Sequence, residues 1–478
     1  MAVFDHLSQI ITPSTLASIG VPTASIALHQ DGKITAHTLT TGPHKADSET
    51  LYQACSISKA ITALAVARLV DQGKLSWTTK IQEHLPQATI DILVDGRTKH
   101  LFSLLTVGML LSHTSGLSQA GFPGYETDPP PLETVLQGLA PSKTPRVHFV
   151  DFPGAQWSYS GGGFVVLQFF LEALLAKPFA ESMHELVLEP LGMTRSFFGA
   201  MPGEEKNYTE PYWTAHTPAR PSHHTLPEMA AAGLWTTPSD LLKAIAAVQA
   251  STLSSSSSFL TPESAQQMLS PVVSGALGEP RGIWAHGWAA TPTLFGHAGS
   301  NHPGYRCYAF GSFAQESPMF PAEQRAWPAN TGLAIMTNSV CGEDLIPRML
   351  NALMYLLELP GQVSYPSWIG GLEKAFPMPQ SLVASLGGWQ DWLGSWTASG
   401  AEWAIVELEG GKPGLSFNGG EAMHLVPAAG PVERAGEGKD VFWFVVDGLE
   451  VGVKLIWERD ERVVRVMQDQ SETLHQRS

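Results

Sequence analysis

Ser56 and Lys59 stand three residues apart in the run ACSISKA, residues 54–60. On a helix, residues i and i+3 share a face, so this spacing sets a hydroxyl beside an amine. A serine hydroxyl is a poor nucleophile until a base takes its proton, and a buried lysine of lowered pKa can be that base. A helix N-terminus also favours negative charge developing beside it. The plain alternative is a helix-capping serine with a solvated lysine, and Ser-x-x-Lys arises by chance in a chain of 478 residues. Lys59, however, is the only charge between Tyr52 and Arg68. An amine in so apolar a run needs a reason. Two further segments carry reactive side chains: Tyr159-Ser160-Gly161 in AQWSYSGGGF, and His297-Ala298-Gly299-Ser300 in LFGHAGSNHPGYRCYAF. Each alone has a plain reading, a turn tyrosine packed beside Trp157 and a structural histidine.

The elements that must position them can be read from periodicity. ISKAITALAVARLVDQGKLSW puts Ile61, Leu64, Ala65 and Leu69 at helical spacing, with Gly73 as the stop. TASIALHQDGKITAHTLT predicts two strands around the Asp31-Gly32 turn. TVGMLLSHTSGLS predicts a short helix running into a Ser/Gly turn, and GGGFVVLQFFLEALLAKPF a strongly apolar helix. TTPSDLLKAIAAVQA begins with Thr/Ser-Pro and an early aspartate, a helix start. YRCYAFGSF and TGLAIMTNS read as strands separated by a Pro-rich insertion, with the His297 motif just before the first of them. EDLIPRMLNALMYLLEL then reads as a helix, and MAVFDHLSQIITPSTLASIG as one short amphipathic helix. Strands at both ends with helices between predict one sheet assembled from distant segments and covered by helices.

After about residue 365 the pattern changes. Short alternating runs such as EWAIVELEG, VFWFVVDG and VGVKLIW, separated by Gly, Pro or charge, predict a small all-β barrel or sandwich. The expected organisation is a catalytic domain over 1–365, a linker over 366–387 and a C-terminal β domain over 388–478.

Bulk composition narrows the function. A formal net charge of −16 argues against nucleic acid and anionic membrane surfaces as partners. Cys55, Cys307 and Cys341 are odd in number and widely spaced, which gives neither a disulfide framework nor a zinc pattern. His223, His224, His286 and His302 lack a metal-ligand pattern, so no metal and no organic cofactor is expected. No apolar run reaches the roughly 18 residues of a membrane span, and the N-terminus does not read as a signal peptide. The expected location is therefore cytoplasmic. Gly-x-Ser-x-Gly does not occur, which weighs against an α/β-hydrolase.

The three motifs, in this order, resemble those of the serine β-lactamase and penicillin-binding-protein superfamily. The chain is most similar to its branch of class C-like esterases, D-aminopeptidases and acyltransferases. That family carries Ser-x-x-Lys at a helix start, Tyr-x-Asn on a loop, and Lys-Thr-Gly or His-x-Gly on an edge strand. The flanks LLSHTSGL (110–117), LEPLGMTRSFF (188–198) and AAAGLWTTPSDL (230–241) agree, and the likeness covers roughly residues 20–355. It implies an α/β (α+β) catalytic domain, with an antiparallel sheet flanked by helices and a helical subdomain. Ser56 would be the acylated nucleophile, Lys59 would hold or relay the proton, and Tyr159 would be the general base, provided a neighbouring ammonium lowers its pKa. His297 would lie near the leaving group or a substrate carboxylate. The backbone N–H groups of Ser56 and Ser300 would form the oxyanion hole, with Gly161, Gly299 and Asn301 contacting substrate. WLGSW and the strands after it resemble the lipocalin-like barrels appended to some D-aminopeptidases.

One departure bears on substrate. Gly161 stands where the family often has asparagine, whose amide helps hold the lysine and the substrate's amide carbonyl. Its loss favours esters, small amides or acyl transfer over β-lactams. The reading is a serine hydrolase or acyltransferase that works through acyl-Ser56 on an ester or amide of a small molecule or short peptide. The acyl group would pass to water or to an alcohol or amine acceptor of specialised metabolism. A non-catalytic binding protein on the same scaffold is the remaining alternative. Two Pro-rich segments, 121–131 and 315–328, could close over the site, and the loop 430–440 could reach it.

Overall fold

Asp31 and Gly32 both adopt positive φ, 52° and 72°, and this tight turn closes the first hairpin. The computed structural model describes residues 2–41, 45–94, 98–118, 122–126, 128–214, 217–219, 224–252, 259–274, 283–291, 294–313, 328–357, 376–377, 389–398, 401–417, 422–429, 441–446, 452–458, 461–468 and 471–477. They form two compact units: Leu16–Gly342, and Met1–Thr15 with Glu343–Ser478.

In the first unit the hairpin strands are β1 (Thr23–Gln30) and β2 (Lys33–Thr40). They join β3 (Leu294–Asn301), β4 (Tyr305–Ser312) and β5 (Gly332–Thr337) in the order β2-β1-β5-β4-β3, every pair antiparallel. Distant segments thus share one sheet, as the pattern predicts. The short strands Ala289–Ala290, Ile283–Trp284 and Val273–Ser274 extend it beyond β3. On β3, Ala289–Ala290 pairs with Phe295 and Gly296. Beyond Gly296, among the described residues, β3 has a strand partner on one flank only. The His297 motif lies inside this strand, not ahead of a strand as the sequence pattern predicts.

The helices that matter to the site are α3 (Ile57–Asp71), α4 (Gly161–Leu175), α5 (Met229–Ala232) and α6 (Pro238–Ser251). Helix α3 is buried on almost every side from Ile57 to Ala67, including the polar Ser58, Lys59 and Thr62. Its apolar residues therefore wrap the helix and do not form one stripe. Helix α6 starts at the predicted Thr237-Pro238: Thr237 Oγ1 accepts from Asp240 N at 3.2 Å, and proline takes the first turn, where its missing N–H is not needed.

The N-terminal segment forms two helices where the sequence pattern predicts one. Helix α1 (Ala2–Ile10) stops, and α2 (Pro13–Ile19) begins anew. Thr12 Oγ1 accepts from Thr15 N at 3.1 Å, so Thr12-Pro13 acts as a start signal inside what looked like a continuous helix. Helix α7 (Gly342–Leu356) follows β5.

Among the described residues the second unit holds the short strand Phe376–Pro377 and eight longer ones: β6 (Gly394–Ala398), β7 (Ala401–Leu408), β8 (Lys412–Phe417), β9 (Met423–Ala429), β10 (Val441–Val446), β11 (Gly452–Glu458), β12 (Glu461–Gln468) and β13 (Ser471–Arg477). Each longer strand pairs antiparallel with the next, and β13 pairs with β6, so the eight close into a barrel, while Phe376–Pro377 pairs with Ala428 and Ala429 of β9. Trp392 and Trp396 are buried here, and Trp396 Nε1 donates to Trp392 O at 2.9 Å. The expected linker 366–387, apart from Phe376–Pro377, the loop 430–440, and all of 315–328 except Pro328 lie outside the described residues. Of the segment 121–131, Gly121 and Thr127 lie outside them. Among the described residues no single helix is long and apolar enough to cross a membrane.

Candidate active site

The chain enters α3 through a strained turn. Cys55 has φ 52°, unusual for a side chain with a Cβ, and Ser56 follows in helical conformation with no side-chain capping bond. The capping role that a serine could fill here is left open. Ser58, one turn on, takes the structural task instead: its hydroxyl donates to Cys55 O at 2.6 Å and accepts from Leu234 N at 3.0 Å. Ser56 is thus a half-buried serine whose hydroxyl is free to face Lys59.

Lys59 Nζ donates to Ser56 Oγ at 3.2 Å and to Ala231 O at 2.7 Å. The side chain is fully buried, and loss of hydration lowers its pKa to about 7. No carboxylate appears among its contacts; the ammonium lies instead 5.1 Å above the Tyr159 ring and 5.6 Å from that of Phe164. The second fixed acceptor is a backbone carbonyl from the four-residue helix α5. That helix also offers Ala230 O to Thr62 Oγ1 at 3.2 Å and Ala232 O to Asn301 Nδ2 at 3.3 Å. In sequence this segment stood only as part of the flank AAAGLWTTPSDL, because backbone carbonyls do the work and alanine side chains give no sign of it.

Tyr159 is held by its neighbour. Ser160 N donates to His113 Nδ1 at 3.0 Å, Ser158 N donates to His113 O at 2.8 Å, and Ser160 Oγ donates to Ser118 O at 3.0 Å while capping α4 through Gly163 N at 2.9 Å. The Ser112–Ser118 turn therefore fixes the tyrosine loop. The buried His113 ring lies 4.3 Å from the Tyr159 ring. His113 was visible in sequence only as part of a flanking run. Burial pushes the Tyr159 hydroxyl pKa up, and the hydrogen bond with the Ser56 side chain only partly offsets this. The lowering by a neighbouring ammonium that a phenolate base requires is therefore not found.

His297 is buried, and its Nδ1 donates to Ala298 O at 2.5 Å. That bond leaves the proton on Nδ1 and a bare lone pair on Nε2, which has no hydrogen-bond partner among the described residues. Burial, with the Lys59 charge nearby, lowers its pKa to about 3, so the ring is neutral. Trp284 lies 5.4 Å from it and Tyr159 6.4 Å, and Trp157 lies 5.9 Å from Trp284. These rings form one aromatic wall beside Ser56 and Lys59.

Gly299 brings the third motif to the first. A Cβ there would stand 2.6 Å from Ala54 O and 2.7 Å from Cys55 Cβ, so only glycine allows β3 to press against the turn before Ser56. Ser300, the next residue, is exposed on the open flank of β3. Asn301 is buried and spends its amide group on Gln53 Oε1 at 2.7 Å as well as on Ala232. It ties β3 to α5 through its Nδ2 group. Gly161 is buried in the first turn of α4. Among the described residues no cluster of three or more His, Cys, Asp or Glu could hold a metal ion.

Serine, buried lysine, tyrosine and neutral histidine thus meet on these elements around one Ser-x-x-Lys turn. The β-lactamase family model matches residues 6–350, and the chain belongs to that family. It is 29% identical over 191 residues to "Penicillin-binding protein 4" of Amycolatopsis lactamdurans, 37% of this chain and 44% of that one. It is 32% identical over 177 residues to "Esterase EstB" of Burkholderia gladioli, 34% of this chain and 42% of that one. The chain thus spans less than half the length of these two relatives. Its fold is similar to that of the octameric penicillin-binding protein homologue from Pyrococcus abyssi, over 100% of both chains at a TM-score of 0.55 and 20% identity. It is also similar to a class C β-lactamase mutant, over 75% of this chain and 97% of that one, at a TM-score of 0.54 and 17% identity.

Proposed function

We propose that the protein is a serine hydrolase that takes an acyl group from an ester or small amide onto Ser56 and passes it to water. The observation that carries this is a buried lysine, with pKa lowered to about 7, 3.2 Å from a serine hydroxyl that caps nothing. Neutral Lys59 takes the Ser56 proton. Tyr159, kept protonated by burial, relays a proton toward the leaving group. The backbone N–H groups of Ser56 and Ser300 receive the oxyanion. A neutral His297 accepts a hydrogen bond at Nε2 but cannot pair with a substrate carboxylate as a cation would. With Gly161 in place of asparagine, this favours esters and uncharged amides over β-lactams.

The penicillin-binding and esterase relatives support a reactive serine without selecting a substrate. A fluorophosphonate probe should label the peptide that contains Ser56 and fail on Ser56→Ala. Labelling at another serine, or undiminished ester turnover in that variant, overturns the reading. Nitrocefin turned over faster than p-nitrophenyl esters would overturn the preference inferred from Gly161.

A second reading, transfer of the acyl group to an alcohol or amine, is favoured by the aromatic wall, since excluding water lets an acceptor compete. Under it, added amines or alcohols divert product from acid to amide or ester. Product ratios that ignore acceptor concentration leave hydrolysis.

A further inference from the structure

His113 holds three parts of the tyrosine loop at once. Its carbonyl accepts from Ser158 N at 2.8 Å, and its ring Nδ1 accepts from Ser160 N at 3.0 Å. Those are the residues on either side of Tyr159. The His113 ring also lies against the Tyr159 ring, with 4.3 Å between centroids and a tilt of 33°. One residue thus fixes the backbone before the tyrosine, the backbone after it and the ring between.

The chain is bent to allow this. His113 has φ 57°, in the left-handed region that a residue with a Cβ seldom enters. Such strain persists only where the surrounding structure enforces it, and it gathers at functional sites. In this conformation the carbonyl and the ring of His113 both reach the same loop. The bond from Ser160 also settles the tautomer. A backbone N–H can only donate, so Nδ1 is bare, the proton sits on Nε2 and the ring is neutral. Burial, with the Lys59 charge nearby, holds its pKa well below 6.5 and keeps it neutral. Trp284 and Phe164 pack around the ring at 5.0 and 5.3 Å, so it has little room to swing away.

We propose that His113 is a positioning residue for acylation, a clamp that holds Tyr159 in line with Lys59 and Ser56. The inference rests on the hydrolase reading, in which Tyr159 relays a proton. No substrate has to reach His113, because it acts through the tyrosine. Lys59 Nζ lies 5.1 Å from the centre of the Tyr159 ring and 3.2 Å from Ser56 Oγ. A loop set loose would carry the tyrosine off both. A shift of about 1 Å in a catalytic group can lower the rate about 100-fold. The loss should fall on kcat and leave KM, since the clamp adds nothing to substrate binding.

Two substitutions of similar size separate a clamp from a space-filling ring. In His113→Asn the amide oxygen can take the place of Nδ1, and asparagine tolerates the left-handed backbone. In His113→Gln the amide extends toward the Nε2 position and Ser160 N loses its acceptor. With a p-nitrophenyl ester, His113→Gln should lower kcat about 100-fold at little-changed KM, while His113→Asn should keep most of the activity. In a Tyr159→Phe background His113→Gln should cost almost nothing more, because its route to the chemistry is already gone. Equal losses with and without Tyr159 overturn the proposal. So does an asparagine variant no better than the glutamine one, or a loss confined to KM. Should His113→Gln fail to fold, His113→Phe takes its place in the cycle under the same criteria. Amide hydrogen exchange in the peptide that spans Tyr159 should quicken in the variant that lacks the acceptor and stay slow in His113→Asn; unchanged exchange overturns the clamp. Exchange reads the loop whether or not Ser56 acylates, so failure here is distinguishable from failure of the hydrolase reading.

Discussion

At the residue scale, the site depends on where two protons reside. Lys59 holds its proton only below about pH 7, because burial lowers its pKa, while burial keeps Tyr159 protonated. A protonated Lys59 cannot accept from Ser56. The expected kcat/KM for a neutral ester therefore falls about tenfold per pH unit below about 7 and levels off above it. A profile flat between about pH 5 and 9 would show that Lys59 is not the base. Lys59→Ala and Tyr159→Phe should each lower kcat by roughly 10²–10⁴-fold. The double variant should lose little more, since the two act as one unit; multiplicative losses would separate them. Ser56 and Lys59 stood out in sequence because their spacing and apolar surroundings are local, while Tyr159 entered only through the order of the three motifs and their resemblance to a family. The protonation states were not, because hydration is lost only when distant segments cover the lysine.

At the element scale, α5 and the neck of β3 hold the geometry. Gly299→Ala drives a methyl into Ala54 O and Cys55 Cβ at 2.6–2.7 Å. Its expected effects are destabilisation of about 1–3 kcal/mol and a larger loss in acylation than in substrate binding. Pre-steady-state kinetics on the folded variant check this, and unchanged acylation would show that β3 does not set the Ser56 position.

Helix α5 follows Glu228, whose two carboxylate oxygens are buried and have no hydrogen-bond partner among the described residues. Burial raises its pKa from 4.5 to about 7. Between those values the folded chain holds a proton that the unfolded chain has released. Stability from this group therefore falls as pH rises through that window, and the loss is complete above about 7. Glu228→Gln should remove it, with a gain of about 3 kcal/mol at about pH 8 and little at about pH 4. Urea unfolding at the two pH values checks this; an equal effect at both would place the Glu228 charge in contact with an unseen partner.

Across the whole molecule, the formal net charge of −16 creates a field that attracts cations and repels anions. The expected outcome is that kcat/KM for an aminoalkyl ester falls with added salt, while that for its neutral analogue stays level. The opposite trend, or a response equal for both, would show that the acidic surface does not reach the site. The second unit, with its closed meander from β6 to β13, was legible as an all-β segment because alternation with period two and close-set turns are local features. Barrel and sandwich stayed open in the alternation alone, since the β13–β6 pairing that separates them joins the two ends of that segment.

The sequence by itself determined the reactive residue types, the helix that follows Ser56, the Thr237-Pro238 helix start and the Asp31-Gly32 hairpin. All of these depend on neighbours within a few turns of chain. Folding ties Ser58 to the backbone and leaves the Ser56 hydroxyl to Lys59. It also makes a carbonyl of α5 the second acceptor for Lys59, sets the neutral tautomer of His297, and presses β3 against the turn before Ser56. Those outcomes come from contacts between segments far apart in the chain, where burial removes water and changes what each polar atom can bind.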